Sequence, residues 1–428
     1  MVGNVSRRGV LAGASIMGVM TTLPALAKPG PGGFSPEGLK AVTAAMQAAI
    51  DKGDAAGVVT LLYRHGEVAQ VNAVGFQDEA AKTPMRRDTI FRIASMTKPI
   101  VSVATLILIE QGRLALATPV EKFLPEFASP KLLANPTDAL DTAKPSPRGI
   151  TVLDLLTHRS GIVTPGTVPG PLVEALKTAD AAREIGPDEW IKRVGALPLA
   201  YEPGSRFNYG NSFDVLGVLV ARASGMSLPE FLEARIFRPL GMKETGFFVP
   251  ADKMARFATN YNVDPQTGKR VVADQPGEQS RWAKPPAFPA GAGGLVSTAD
   301  DYLSFGKMLL GKGRNSNVRL LSHESVTLMT SNQLTQEQRK TPFSGFDFWA
   351  GQGFGLGVAV VDDVARQARS PFGYSSAGSF GWPGAFGTWW QADPKEDMVQ
   401  IFLVQLPAAD PRAPVRAFQE ASYHAIDD

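Results

Sequence analysis

Phe91-Arg92-Ile93-Ala94-Ser95-Met96-Thr97-Lys98-Pro99-Ile100 runs directly into Val101-Ser102-Val103-Ala104-Thr105-Leu106-Ile107-Leu108-Ile109-Glu110-Gln111-Gly112. The second half is almost wholly apolar, long enough for three turns, and closed by a glycine, which reads as a buried helix with a glycine stop. Pro99 is tolerated only in a first turn, so the helix begins near Ser95. Ser95 and Lys98 then share one helical face and their side chains can meet. A helix start also offers unpaired backbone N–H groups and the positive end of the macrodipole, both of which stabilise a forming alkoxide. Ser-x-x-Lys chemistry needs a lysine that is neutral part of the time, and burial against an apolar helix favours the neutral amine. The motif recurs as Ser304-Phe305-Gly306-Lys307 inside the amphipathic stretch Ala299 to Leu310. That copy reads as an ordinary surface helix, and Ser95 stands out through its context.

Upstream of this helix, Ser35 can cap and Pro36 can open a helix reaching Gly53, with Leu39, Val42, Met46 and Ile50 at helical spacing. Gly57 to Tyr63 and Val68 to Val74 read as strands of a hairpin turning at His65-Gly66. Downstream, Ala134 to Gly149 reads as a loop, Ile150 to His158 as a short helix, and Pro165 to Pro171 as a second loop. Val173 to about Met242 is mainly helical in pattern, and Pro265 to Pro289, polar and proline-rich, reads as coil. Leu356 to Val361, Phe380 to Gln391 and Met398 to Gln405 read as strands, and Arg412 to Ile426 as a closing helix. Strands from both ends of the chain are therefore expected in one antiparallel sheet flanked by helices, an α+β fold. A large helical subdomain is inserted at about residues 113–290.

The chain has 428 residues, enough for a substantial core in one large domain or two. Its first 27 residues contain Arg7 and Arg8, no acidic residue, an apolar run to Leu26, and Ala25-Leu26-Ala27. This is the pattern of a cleavable signal peptide, with paired arginines of the twin-arginine export type. It predicts a periplasmic or secreted product with no stable membrane association after cleavage. Removing Arg7 and Arg8 from the 43 Lys and Arg leaves 41, equal to the 41 Asp and Glu. A neutral body without a basic run gives no reason to expect a nucleic-acid partner. With no cysteine, thiol catalysis, disulfides and cysteine metal sites are excluded. The four histidines, His65, His158, His323 and His424, are scattered and suggest neither a metal site nor another cofactor.

Two further stretches carry chemistry. Among seven tyrosines only Tyr209 has an asparagine two residues on, Asn211, in a loop constrained by Pro203 and Gly204. A phenol held beside a lysine can shuttle a proton, although an arbitrary loop tyrosine is more often packing. Gly378 to Trp390 alternates small and aromatic residues like a strand, and glycines there can mark close approach of a ligand. A core aromatic strand is the plainer reading.

Taken in order, these pieces resemble the serine hydrolases of the class C β-lactamase and penicillin-binding-protein superfamily, and within it the family VIII carboxylesterases. The resemblance covers roughly Ser35 to the C-terminus. It rests on Phe91 to Lys98, Ile150 to Gly161, Pro198 to Asn211, Pro289 to Thr298, Phe354 to Gly357 and Trp382-Pro383-Gly384. It implies a β-lactamase-like hydrolase domain over residues 28–428. It further implies Ser95 as nucleophile, Lys98 as base, Tyr209 as proton relay, and Asn211 as a contact to the substrate acyl group. The backbone N–H groups of Ser95 and Ala385 would form the oxyanion hole. His158 lies in a landmark that is structural in the family and reads as a satisfied packing histidine.

Relatives that act on lactams or peptides carry Lys-Thr-Gly where this chain has Trp382-Pro383-Gly384, and family VIII esterases carry Trp-Gly-Gly. Trp382 offers apolar area and one indole donor in place of a cation. Trp382 and Gly384 are therefore expected to face the substrate, which is expected to be a small to medium neutral ester, with at most weak β-lactamase side activity. The alternatives left open are a β-lactamase or D-amino-acid peptidase, an acyltransferase using the same acyl-serine, and a non-catalytic penicillin-binding or sensor module. No Gly-x-Ser-x-Gly pentapeptide supports an α/β-hydrolase.

Overall fold

The computed structural model describes residues 30–428 apart from 166, 181–183, 341–342, 344–346, 369–372 and 407–411. The expected signal peptide, residues 1–27, lies outside the described residues.

The hairpin near the start of the chain is the centre of the fold. β1 (Gly57–Arg64) is buried along its whole length and pairs antiparallel with β2 (Glu67–Asp78). A short β3 (Thr83–Pro84) lies beyond β2. The other flank of β1 is taken by strands from the far end of the chain. These are β4 (Gln352–Phe354), β5 (Ala359–Val361), β6 (Phe380–Gly381), β7 (Trp389–Asp393) and β8 (Met398–Leu403). The eight-stranded antiparallel sheet runs β4-β5-β6-β7-β8-β1-β2-β3. Leu61 faces Ile401 on one side and Val71 on the other.

Alternation along the strands decides which layer each residue joins. Val59 and Leu61 of β1, with Val399 and Ile401 of β8, enter the main core. Val58 and Leu62, with Met398 and Phe402, point to the opposite layer. There α1 (Pro36–Asp51) and the C-terminal helix Arg412–His424 close the sheet with Leu39, Val42, Met46, Val415 and Phe418. Ser35 caps α1 by accepting the Gly38 N–H at 3.0 Å, and Pro36 occupies the first position.

On the main-core side lie α2 (Thr97–Glu110), buried from Thr97 to Leu108, and the helix Ala299–Leu310. The helix Ala299–Leu310 is not the surface helix its motif suggested. Tyr302, Phe305 and Met308 are fully buried, and Tyr302 and Phe305 pack on Trp390 of β7. Lys307, from the second Ser-x-x-Lys, lies over the ring of Tyr63, 4.9 Å from its centroid. Beyond α2 come the helices of the insertion, α3 (Val152–Leu156), α4 (Pro171–Asp180), α5 (Pro187–Gly195) and α6 (Ser212–Ser224). Thr151 and Asp154 form a reciprocal capping box at the start of α3.

Two expectations are corrected. Residues Pro265 to Pro289 are not all coil, because Arg270–Asp274 pairs antiparallel with Asn260–Val263. The β-branched pair Val271-Val272 favours the strand although both side chains are exposed. The run Phe380 to Gln391 is not one strand but two, β6 and β7. Between them, Gly384 N–H donates to Thr388 O at 2.7 Å and Gly387 adopts φ +83°. A turn thus projects out of the sheet where alternation alone suggested continuous pairing.

Candidate active site

Ser95 sits in a single 3-10 turn, Ala94–Met96, immediately ahead of α2. Ala94 has φ +43°, a left-handed conformation that costs a residue bearing a Cβ. The surrounding structure holds it there. Phe91 and Arg92 pair with Ser297 and Val296, and Ile93 N–H donates to Leu295 O at 3.0 Å. Arg92 is wholly buried. It donates to Ala258 O at 2.7 Å and Gln405 Oε1 at 3.0 Å, ion-pairs with Asp274, and lies 3.8 Å from the Phe257 ring centroid. Burial pushes its guanidinium down to about 10.

The pairing of residues 91–92 with 296–297 carries Ala292 to the next turn of the site. Lys98 Nζ lies 2.9 Å from Ser95 Oγ and donates to Ala292 O at 2.7 Å. Lys98 is only 2% exposed. Ala292 is fixed in turn, its N–H donating to Asp214 Oδ1 on α6 at 2.8 Å.

Tyr209 reaches the same serine from the other side. Its loop zips onto the end of α3: Gly204 N–H donates to Arg159 O, and Asn208 N–H to His158 O, both at 2.7 Å. A Cβ on Gly210 would come within 2.2 Å of Ile162 O, so only glycine allows this approach. The Tyr209 hydroxyl is 2.8 Å from Ser95 Oγ, and Lys98 Nζ is 4.6 Å from the Tyr209 ring centroid. His158 lies beneath this ring, fully buried. It is not the fully satisfied histidine the sequence suggested. Its Nδ1 accepts from Gly210 N–H at 3.4 Å, and its Nε2 is buried without a hydrogen-bond partner. Burial, and then the charge of Lys98, hold its imidazole well below the ordinary histidine range.

Ser95, Lys98, Tyr209, Asn211 and Ala385 all line one cavity of about 610 Å³. Asn211, 5% exposed, opens α6, and its carbonyl accepts from Asp214 and Val215 N–H. Among the described residues, the N–H groups of Ser95 and Ala385 donate to no protein acceptor. The turn bearing Ala385 docks on the serine segment, Thr388 Oγ1 donating to Ile93 O at 3.3 Å.

Trp382 and Gly384 are placed differently from the expectation. Trp382 is 1% exposed and is not on the cavity wall. It stands behind Tyr209, with Nε1 donating to the phenol oxygen at 3.4 Å and its ring packed against Phe348 and Phe354. Gly384 is also buried, and a Cβ there would meet Ile93 O at 2.4 Å. The turn between β6 and β7 swings both residues inward and leaves Ala385 and Phe386 to face the cavity. The wall beyond the serine carries the apolar residues Phe247, Trp282, Pro286 and Phe288, and the Phe288 ring packs tilted against Trp190 at 4.7 Å between centroids. It also includes charged groups the sequence did not flag, Glu184, Asp214 and Arg281.

The beta-lactamase family model matches residues 42–425. The chain belongs to the beta-lactamase family. Within it, the chain is 42% identical over 362 residues to an uncharacterized Mycobacterium tuberculosis protein, covering 85% of this chain and 88% of that one. It is 35% identical over 354 residues to esterase EstB of Burkholderia gladioli, covering 79% and 82%. The solved structure of EstCE1, described as a hydrolase with promiscuous acyltransferase activity, superposes with a TM-score of 0.74 at 26% identity, covering 92% of this chain and 99% of that one. The β-lactamase-like α+β fold of this family member is the one expected from its sequence.

Proposed function

We propose that the protein is a serine carboxylesterase that hydrolyses carboxylic esters through an acyl-Ser95 intermediate. The observation that carries this reading is the convergence of Lys98 Nζ and the Tyr209 hydroxyl on one serine oxygen, at 2.9 and 2.8 Å, on the wall of a substrate-sized cavity. The esterase EstB and the hydrolase EstCE1 among its relatives support it.

In this mechanism neutral Lys98 takes the Ser95 proton as Oγ attacks the ester carbonyl carbon. The N–H groups of Ser95 and Ala385 receive the oxyanion. Tyr209 gives its proton to the departing alkoxide and is reprotonated from Lys98. Water then attacks the acyl-enzyme, passes a proton to the Tyr209–Lys98 pair, and Ser95 is released as its Oγ regains a proton. Asn211 contacts the acyl group. The substrate is a small to medium ester, and its apolar part lies along Phe247, Trp282 and Phe288.

EstCE1 gives reason for a second outcome of the same intermediate, transfer of the acyl group to an alcohol in place of water. The same reading takes residues 28–428 as one hydrolase domain with its helical insertion. It takes residues 1–27 as a cleaved twin-arginine-type signal, so that the mature enzyme works in the periplasm or outside the cell.

The deciding experiment is a panel of nitrophenyl esters of increasing acyl length, a chromogenic cephalosporin, and an added alcohol, run on the wild type and Ser95→Ala. Turnover of esters well above that of the cephalosporin, lost in Ser95→Ala, is the expected result. Mass spectrometry of a trapped acyl group should find it on Ser95. A cephalosporin turned over faster than every ester would replace this reading with a β-lactamase, and a stable acyl-enzyme without turnover would replace it with a binding module.

A further inference from the structure

We infer that His158 is a positioning residue that holds the Tyr209 phenol on Ser95 by gripping the peptide on either side of it. The inference rests on the Ser95–Lys98–Tyr209 reading above and adds a fourth side chain to it.

His158 ends the short helix α3 in a left-handed conformation, φ +52°. Its carbonyl accepts the N–H of Asn208 at 2.7 Å. Its ring nitrogen Nδ1 accepts the N–H of Gly210 at 3.4 Å. One residue therefore binds the donors immediately before and after Tyr209. Its ring also lies 4.4 Å from the Tyr209 ring, centroid to centroid, and is backed by Phe213 at 5.0 Å. Backbone, ring nitrogen and ring face all act on the same tyrosine.

A residue selected only to fill this space would not need nitrogen. Acceptance at Nδ1 places the proton on Nε2, a tautomer assigned from the hydrogen bond. That Nε2–H is buried without a partner, and an unpaired buried donor destabilises the fold. Phenylalanine or leucine would pack without that cost, but neither could accept from Gly210. The ring must also stay neutral, since protonation would turn the acceptor into a donor facing another N–H. Burial favours the neutral form, and so does any positive charge that the neighbouring Lys98 takes on.

The test compares His158→Asn with His158→Leu, alone and in a Tyr209→Phe background. Asparagine and leucine are similar in size, and asparagine keeps an acceptor and tolerates positive φ. For His158→Leu, kcat is expected to fall about 10–100-fold with KM within about twofold, and His158→Asn is expected to recover at least about tenfold of that loss. In the Tyr209→Phe background the same replacements should change kcat by no more than about threefold, because the group they position is already gone. Equal losses in both variants, or an undiminished effect without the tyrosine hydroxyl, would overturn the inference. If His158→Leu does not fold, His158→Asn decides alone. A kcat within about tenfold of wild type supports the role, and a larger loss in the folded variant overturns it. Should Tyr209→Phe by itself turn over at the wild-type rate, the error lies in the proton relay rather than in His158.

Discussion

Trp382 Nε1 donates to the Tyr209 oxygen at 3.4 Å from behind, on the far side of the phenol from the cavity. Trp382 therefore touches the tyrosine and does not line the cavity. Trp382→Phe keeps the packing against Phe348 and Phe354 and removes the donor. One neutral hydrogen bond is worth about 1 kcal/mol, so kcat is expected to fall about fivefold with KM for a nitrophenyl ester unchanged. Steady-state kinetics check this. A tenfold rise in KM at constant kcat would return Trp382 to the substrate wall.

Asp214 grips the base indirectly. Its Oδ1 accepts from Ala292 N–H, and the Ala292 carbonyl accepts from Lys98 Nζ. Asp214→Ala leaves Ala292 without its charged acceptor, an interaction worth about 1.5–3 kcal/mol, and is expected to lower kcat about 10–100-fold. Asp214→Asn, which keeps an oxygen acceptor, is expected to retain most of the activity. Rates for the two variants that fall together would show that the aspartate charge acts on the substrate itself.

Gly384 sets how closely the Ala385 turn approaches the serine. A Cβ there would lie 2.1 Å from Thr388 Oγ1 and 2.4 Å from Ile93 O, and the backbone of the serine segment cannot give way. Gly384→Ala is therefore expected to push the Ala385 N–H away from the oxyanion. Loss of one such donor typically costs about 10²–10³ in kcat. The measurement is kcat beside a thermal melt. Wild-type kcat would mean that the Ala385 N–H plays no part in the reaction.

The parts of the site legible in the sequence are those encoded by side-chain type and local spacing. Ser95 and Lys98 lie three residues apart where a 3-10 turn runs into an apolar helix, and Tyr209 sits in a loop fixed by proline and glycine beside Asn211. The hairpin of β1 and β2 was legible for the same reason, since alternation and a His-Gly turn are local. What was not legible depends on backbone groups and distant pairings. The Ala292 carbonyl has no sequence signature, and neither has the long-range contact of the Ala292 N–H with Asp214. The run from Phe380 to Gln391 alternates like a strand, yet the Gly384–Thr388 hydrogen bond breaks it and turns Trp382 away from the cavity. Arg281 reaches the cavity wall from a stretch whose polarity read only as coil.

Asp301 gives the fold a pH dependence opposite in sign to that of its ion-paired carboxylates. It stands in the first turn of the helix Ala299–Leu310, 7% exposed, and accepts from Glu244 N–H at 2.7 Å and Thr245 Oγ1 at 2.8 Å. Burial outweighs these donors and raises its pKa from 3.8 to about 6. The folded protein therefore keeps a proton that the unfolded chain loses between about pH 4 and 6. Its contribution to stability is complete below about pH 4 and is lost as pH rises through about 6, a change of about 3 kcal/mol at 1.36 kcal/mol per unit. Asp301→Asn offers an uncharged oxygen to the same two donors and has no proton to lose. Its melting temperature relative to wild type is expected to be several degrees higher at pH 7 than at pH 4.5. A difference that stays constant across that range would mean that Asp301 is charged in the fold and supported there by its donors.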